Sequence, residues 1–137
     1  MVVIVNSKPK KNIIMFVSDT PRNSLFFNRI TEHLQLTYVN WAWEVNTEEQ
    51  FINHIENPPK SFWDILIVEL NIVKEKKELL GKFIKKYPNV IVGLLYDKGD
   101  QPRTIAPLKK KNTIKIDREE CEDIDDWFLI MHGKFLT

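Results

Sequence analysis

Residues 63–71 read Trp63-Asp64-Ile65-Leu66-Ile67-Val68-Glu69-Leu70-Asn71. Ile65 to Val68 is an unbroken apolar run, largely β-branched, with an acid at each end. A short run of this kind reads as a strand buried on both faces. A strand with one face in water would alternate apolar and polar residues instead. Glu69 stands at the carboxyl end of the run. In an open parallel sheet that end is where ligands and chemistry gather. Glu69 is therefore the first candidate functional residue.

Two more runs look the same: Ile13 to Val17 and Val90 to Leu95. Leu36 to Val45 carries Tyr38, Val39, Trp41, Trp43 and Val45, an aromatic and β-branched enrichment that predicts a strand. Thr113 to Ile116 is a shorter candidate. Helical patterns fall between these strands. Thr20 can cap a helix whose first residue is Pro21, and Leu25, Phe26, Ile30 and Leu34 recur at helical spacing to about Gln35. Thr47-Glu48-Glu49-Gln50 is a capping box before Phe51, Ile52 and Ile55, and Asn57-Pro58-Pro59 stops that helix. Val73, Lys76, Leu80, Phe83, Ile84 and Tyr87 predict one helix ending before Pro88. Asp97 to Pro107 reads as loop, with at most a short helix at 104–111. Asp117 to Phe135 predicts a last helix with Ile124, Trp127, Phe128, Met131 and Phe135 on its apolar face. The acids in its first turns, Glu119 to Asp126, read as a solvated face at the positive end of the helix dipole.

Strands alternating with helices imply a parallel sheet with helices on both faces. At 137 residues, the flavodoxin-like order 2-1-3-4-5 is the expected arrangement. The reading divides the chain into an N-terminal arm, 1–11, and one α/β domain, 12–137. Asn6 to Lys11 is a polar basic linker, and Val2 to Val5 is apolar. If Ile13 to Val17 is flanked on both sides, the arm cannot pair with it. The linker can carry the arm ~20 Å to a sheet edge. There it would cap the strand bearing Trp41 and Trp43, or cross to a second copy and make a homodimer.

Composition narrows the function classes. A net charge of +1 gives no global attraction to nucleic acid or anionic membrane. Cys121 is the sole cysteine, so no internal disulfide forms, and a reducing cytoplasm is expected. Only four glycines occur, at positions 81, 93, 99 and 133, too scattered for a Gly-rich phosphate loop. No nucleophile–base pair stands out, and His33, His54 and His132 lie on separate predicted helices. No cofactor is expected.

At this point the chain resembles a response-regulator receiver domain, over residues 12 to 136. In that family the first strand ends in an acidic pair that binds Mg²⁺; here Ile13-Ile14-Met15-Phe16-Val17-Ser18-Asp19-Thr20-Pro21 matches, with Ser18 and Asp19 at the pair. The third strand reads as an acid, four apolar residues and the phosphoacceptor aspartate; here Glu69 takes that last place. A Ser or Thr closes the family's fourth strand, where this chain offers Leu94 and Leu95. A lysine closes the fifth, usually before a cis-proline; Lys115 fits, but Ile116 follows it. The segment between these strands is short, implying a shortened or irregular helix there, the fourth in the family's count. A glutamate carboxylate lies one methylene further out than the aspartate, and Mg²⁺ demands tight octahedral geometry. The resemblance implies a pseudo-receiver: a non-catalytic signalling module acting on a protein partner, with the phosphoryl switch lost.

Glu69 has three readings: a fixed ion pair with Lys115, a solvated carboxylate at a strand end, or a catalytic acid or base. Asp19 is either a helix cap beside Thr20 or a weak metal ligand with Glu69. Trp41 and Trp43 share a strand face, as packing residues or as a partner surface. The lysines at 8, 10 and 11 and at 109–111 read as solvated clusters. A different class of function, a small flavodoxin-like nucleotide- or flavin-binding protein, is the alternative, and a receiver phosphorylated at an atypical site is a third.

Overall fold

A computed structural model of the chain describes residues 11–34, 39–57, 63–97, 99 and 113–117. The strands are β1 (Lys11–Phe16), β2 (Val39–Val45), β3 (Ile65–Glu69), β4 (Ile91–Tyr96) and β5 (Thr113–Asp117). The helices are α1 (Pro21–Leu34), α2 (Glu48–Glu56), α3 (Leu70–Glu75) and α4 (Lys77–Lys86). All strand pairs are parallel, in the order β2-β1-β3-β4-β5. The expected sheet is therefore the observed one, an α/β fold of the flavodoxin-like class. β3 lies at its centre, and its Ile65 to Val68 are wholly buried.

Register assigns the two faces. Ile14 pairs with Leu66 and Leu66 with Val92, while Phe16 pairs with Val68 and Val68 with Leu94. These residues form one core with Phe51 and Ile55 of α2, Val73 of α3, and Leu80 and Phe83 of α4. Phe16 stacks on Phe51 at 4.5 Å between ring centroids, and Phe51 meets Phe83 at 5.3 Å. Burying each such side chain is worth roughly 1.5–3 kcal/mol before entropy is counted. The opposite face presents Ile13, Met15, Ile65, Ile67 and Leu95, also buried. α1 lies over that face: its Ser24 hydroxyl donates to Glu44 of β2 and its Asn23 amide to Glu69 of β3.

Caps set the helix starts where the sequence placed them. Thr47 Oγ1 accepts from Gln50 N at 3.1 Å. The returning Gln50 side chain takes Asn46 N, one residue before the cap, at 2.8 Å. Asn23 N donates to Thr20 Oγ1, and Pro21 opens α1. The carboxyl end of α2 is closed by three donors from elsewhere. Trp63 Nε1 donates to His54 O, while Lys86 Nζ and Tyr87 Oη both donate to Ile55 O.

The helix before Pro88 differs from expectation. The single helix predicted up to Tyr87 is two helices, broken at Lys76, whose φ of −119° and ψ of 39° leave the helical region. Leu70, Val73, Leu80 and Phe83 are all buried in the same core. In one straight helix Leu70 and Phe83 would point about 140° apart. The break lets both short apolar stripes face the sheet. β3 ends at Glu69, because Leu70 opens α3. Similarly, Asp117 closes β5 rather than opening a helix. Of the arm at 1–11, Lys11 belongs to β1 instead; the rest of the arm, the short helix at 104–111 and the last helix beyond Asp117 lie outside the described residues. No described helix is long and apolar enough to cross a membrane.

Candidate functional site

In the order β2-β1-β3-β4-β5 the chain reverses direction of winding between β1 and β3. The crevice at the carboxyl ends of those two strands is where this architecture receives ligands. β1 delivers Val17, Ser18 and Asp19 to the crevice, and β3 delivers Glu69.

Glu69 is only 8% exposed. Its Oε1 accepts the backbone N–H of Ser18 at 2.5 Å and Nδ2 of Asn23 at 3.1 Å. The same Asn23 Nδ2 donates to Ser18 O at 2.9 Å. Both partners of Nδ2 are acceptors, which fixes the orientation of the Asn23 amide. Its Oδ1 is buried and has no hydrogen-bond partner among the described residues. Asn23 is fully buried because Thr20 and Pro21 start α1 so that its third residue faces the sheet. The carboxylate thus rests beside the positive end of α1, an arrangement that favours its charge. Above it, Arg22 of α1 meets Asp97, just after β4, at 3.3 Å. That pair links the strands on either side of β3, although both groups are about half exposed and each adds little to stability.

The expected ion pair between Glu69 and Lys115 does not form. Lys115 is level with Leu94, whereas Glu69 is level with Leu95, which is level with Ile116. A one-residue offset places side chains on opposite sheet faces. Lys115 is exposed on the other face. Nor is Glu69 a solvated strand end, given its burial. Leu95 is the residue beside Glu69 where the resemblance calls for a hydroxyl, and Leu94 belongs to the core on the far face. Asp19 is exposed. Among the described residues no three His, Cys, Asp or Glu side chains gather to hold a metal ion.

Trp43 is 40% exposed on β2 and contacts the His54 ring at 5.2 Å. The side chain of Trp41 lies outside the described residues. Asn23 was not singled out by the sequence reading. A signal for it exists: it heads the row Asn23, Phe26, Ile30, Leu34 at helical spacing, as a polar residue on an apolar stripe.

No protein-family model matches the sequence, and no curated protein matches it. Two solved structures share the architecture. One is a fragment, described as that of a lipoprotein, from Peptoclostridium difficile 630, with 19% identity and a TM-score of 0.59 over 93% of this chain and 100% of that one. The other is the lysine decarboxylase LdcF of Francisella novicida, with 9% identity and a TM-score of 0.55 over 93% of this chain and 17% of that one. Neither is described as a receiver domain. At these identities the likeness concerns the fold alone.

Proposed function

We propose that this chain is a receiver-like module without a phosphoryl switch, acting in the cytoplasm by contact with a partner protein and not by catalysis. One observation carries the reading: the buried Glu69 carboxylate stands at the β1/β3 crevice and is held there by Ser18 N and Asn23 Nδ2. The chain's own side chain takes the place that a ligand or a phosphoryl group would need. Leu95 beside it supplies no hydroxyl to follow such a group. Ser18 contributes its backbone N–H to the carboxylate rather than a second charge to a metal.

Intact mass after incubation with acetyl phosphate and Mg²⁺ tests this reading, together with amide NMR spectra in beryllofluoride. The expected result is no mass increase and an unchanged spectrum. A phosphoryl adduct, or shifts centred on Glu69, would overturn it. A thermal shift with flavin or nucleotides would favour the ligand-binding alternative.

A further inference from the structure

α3, α4 and the break between them carry six lysines, at 74, 76, 77, 82, 85 and 86, against the acids Glu75 and Glu78. Two of these lysines are committed. Lys76 pairs with Glu48 of α2 at 2.9 Å, and Lys86 closes α2 through Ile55 O. Lys74, Lys77, Lys82 and Lys85 are exposed. No ion pair joins any of them to a described residue. Lys74 and Lys85, in the last turns of α3 and α4, have an ordinary explanation in the dipole. Lys77 opens α4, the end where the dipole disfavours a cation, and Lys82 follows Glu78 at a helix spacing of four without an ion pair to it.

Gly81 is the second observation. It lies inside α4, where glycine costs up to about 1 kcal/mol relative to alanine. Its φ is not positive, and a Cβ there would meet nothing within 4 Å. The fold therefore has no need of a glycine at this position. Lys77, Gly81 and Lys85 form one row along the helix at steps of four. A missing side chain between two cations leaves a notch that admits another backbone closely.

The third observation is a cavity of about 250 Å³ at the carboxyl end of the same helix, lined by Trp63, Tyr87, Pro88 and Val90 with the polar Asp64, Lys86 and Asn89 at its rim, so its occupant there is an apolar side chain and not a carboxylate. Its walls are mostly apolar, and it opens where the lysine row ends.

We infer that the α4 face is a docking surface for an acidic peptide segment of a partner protein. The peptide lies along Lys77, Gly81 and Lys85, with its carboxylates toward these lysines and Lys82. One apolar side chain enters the cavity beside Trp63 and Pro88. Charge complementarity sets the register, and the cavity supplies the anchor. The surface rests on the proposed reading as a protein-contact module and specifies that partner's chemistry. Nucleic acid fits less well, because no exposed aromatic side chain interleaves these lysines for base stacking.

The probe is a short fluorescein-labelled peptide of aspartate and glutamate with one central leucine, titrated into the full chain at low salt and followed by anisotropy and amide NMR. Binding is expected, with shifts confined to residues 74–90 and to Trp63 and Asp64 of the cavity wall, and it should weaken as salt rises. Lys82→Glu with Lys85→Glu should lower affinity roughly tenfold. Gly81→Gln fills the notch while keeping the helix and should lower it by a similar factor, as should replacing the peptide's leucine with serine. Circular dichroism checks that both variants stay folded. No binding, shifts elsewhere, unchanged affinity in either variant, or equal affinity for single-stranded RNA would overturn the surface. Such a failure leaves the protein-contact reading standing wherever the phosphoryl tests still support it, since those tests probe the opposite edge of the sheet.

Discussion

The two ends of β3 use the same chemistry to different effect. At the amino end, Asp64 Oδ2 accepts Asn12 N at 2.8 Å. At the carboxyl end, Glu69 Oε1 accepts Ser18 N at 2.5 Å. Each carboxylate therefore pins β3 to a flank of β1. Asp64 does so half-exposed, and its backbone continues the ladder through Asn12 O and Ile91 N. Glu69 does so nearly out of water and with a second donor, Asn23. The longer glutamate reaches across the crevice mouth, where the aspartate at the other end only marks register. A carboxylate at a strand end is thus either a pin in water or a plug, depending on what the adjoining loop brings over it.

The sharpest way to break this distinction is to remove the plug. Glu69→Ala leaves Asn23 buried without its charged partner and should cost about 2–3 kcal/mol in urea unfolding. Glu69→Gln keeps an acceptor for Ser18 N, and its amide can turn a donor toward the orphaned Asn23 Oδ1. It should recover most of that loss. If Ala and Gln prove equally damaging, the hydrogen-bonded role assigned to Glu69 is wrong.

Asp64→Ala should cost less, about 1 kcal/mol, because water replaces the lost acceptor at a half-exposed site. The two carboxyl-bearing positions are ~16 Å apart along β3. The double variant should equal the sum of the singles within about 0.5 kcal/mol. A larger departure would mean that the two ends act as one cooperative unit and that the comparison is misdrawn.

The elements that read correctly from sequence are those whose physics is local. Ile13 to Val17, Ile65 to Val68 and Val90 to Leu95 announce strands because a parallel sheet covered on both faces needs unbroken apolar runs. Thr20-Pro21 and Thr47 to Gln50 announce helix starts because caps act within one turn. The break at Lys76 was illegible because Lys74 to Glu78 suits a helix throughout; only the shared core of Leu70 and Phe83 demands the kink. Glu69 was legible as a strand-end acid, but its partners were not. Asn23 is 46 residues away in sequence. Lys115 was misjudged by one step of register. Thr113 to Ile116 alternates polar and apolar residues and carries no internal mark of depth in the sheet, and a slip of one residue inverts the face.

The amino edge also carries an effect that vanishes at alkaline pH, and it separates the two ends by pH. Tyr87 is 7% exposed, and burial raises its phenol pKa above the ordinary value of 10.0. Its hydroxyl donates to Ile55 O at 2.9 Å, a bond that ionisation would destroy. The folded chain holds the phenol proton more tightly than the unfolded chain. Its contribution is therefore complete below about pH 10 and is lost as pH rises through the folded-state value. Lys76, whose pKa is raised by its hydrogen bond and charge pairing with Glu48, loses stability in the same alkaline direction. The wild type alone cannot separate the two contributions, but Tyr87→Phe can. At neutral pH this variant should cost about 1 kcal/mol, since Ile55 O keeps Lys86 Nζ as a donor. Above pH 10 the gap between variant and wild type should close, because the wild type then loses what the phenylalanine never had. Urea midpoints at neutral pH and at successive alkaline values measure this directly. A gap that stays constant with pH would show that the Tyr87 hydroxyl does not titrate within the fold and would remove the alkaline asymmetry between the two edges.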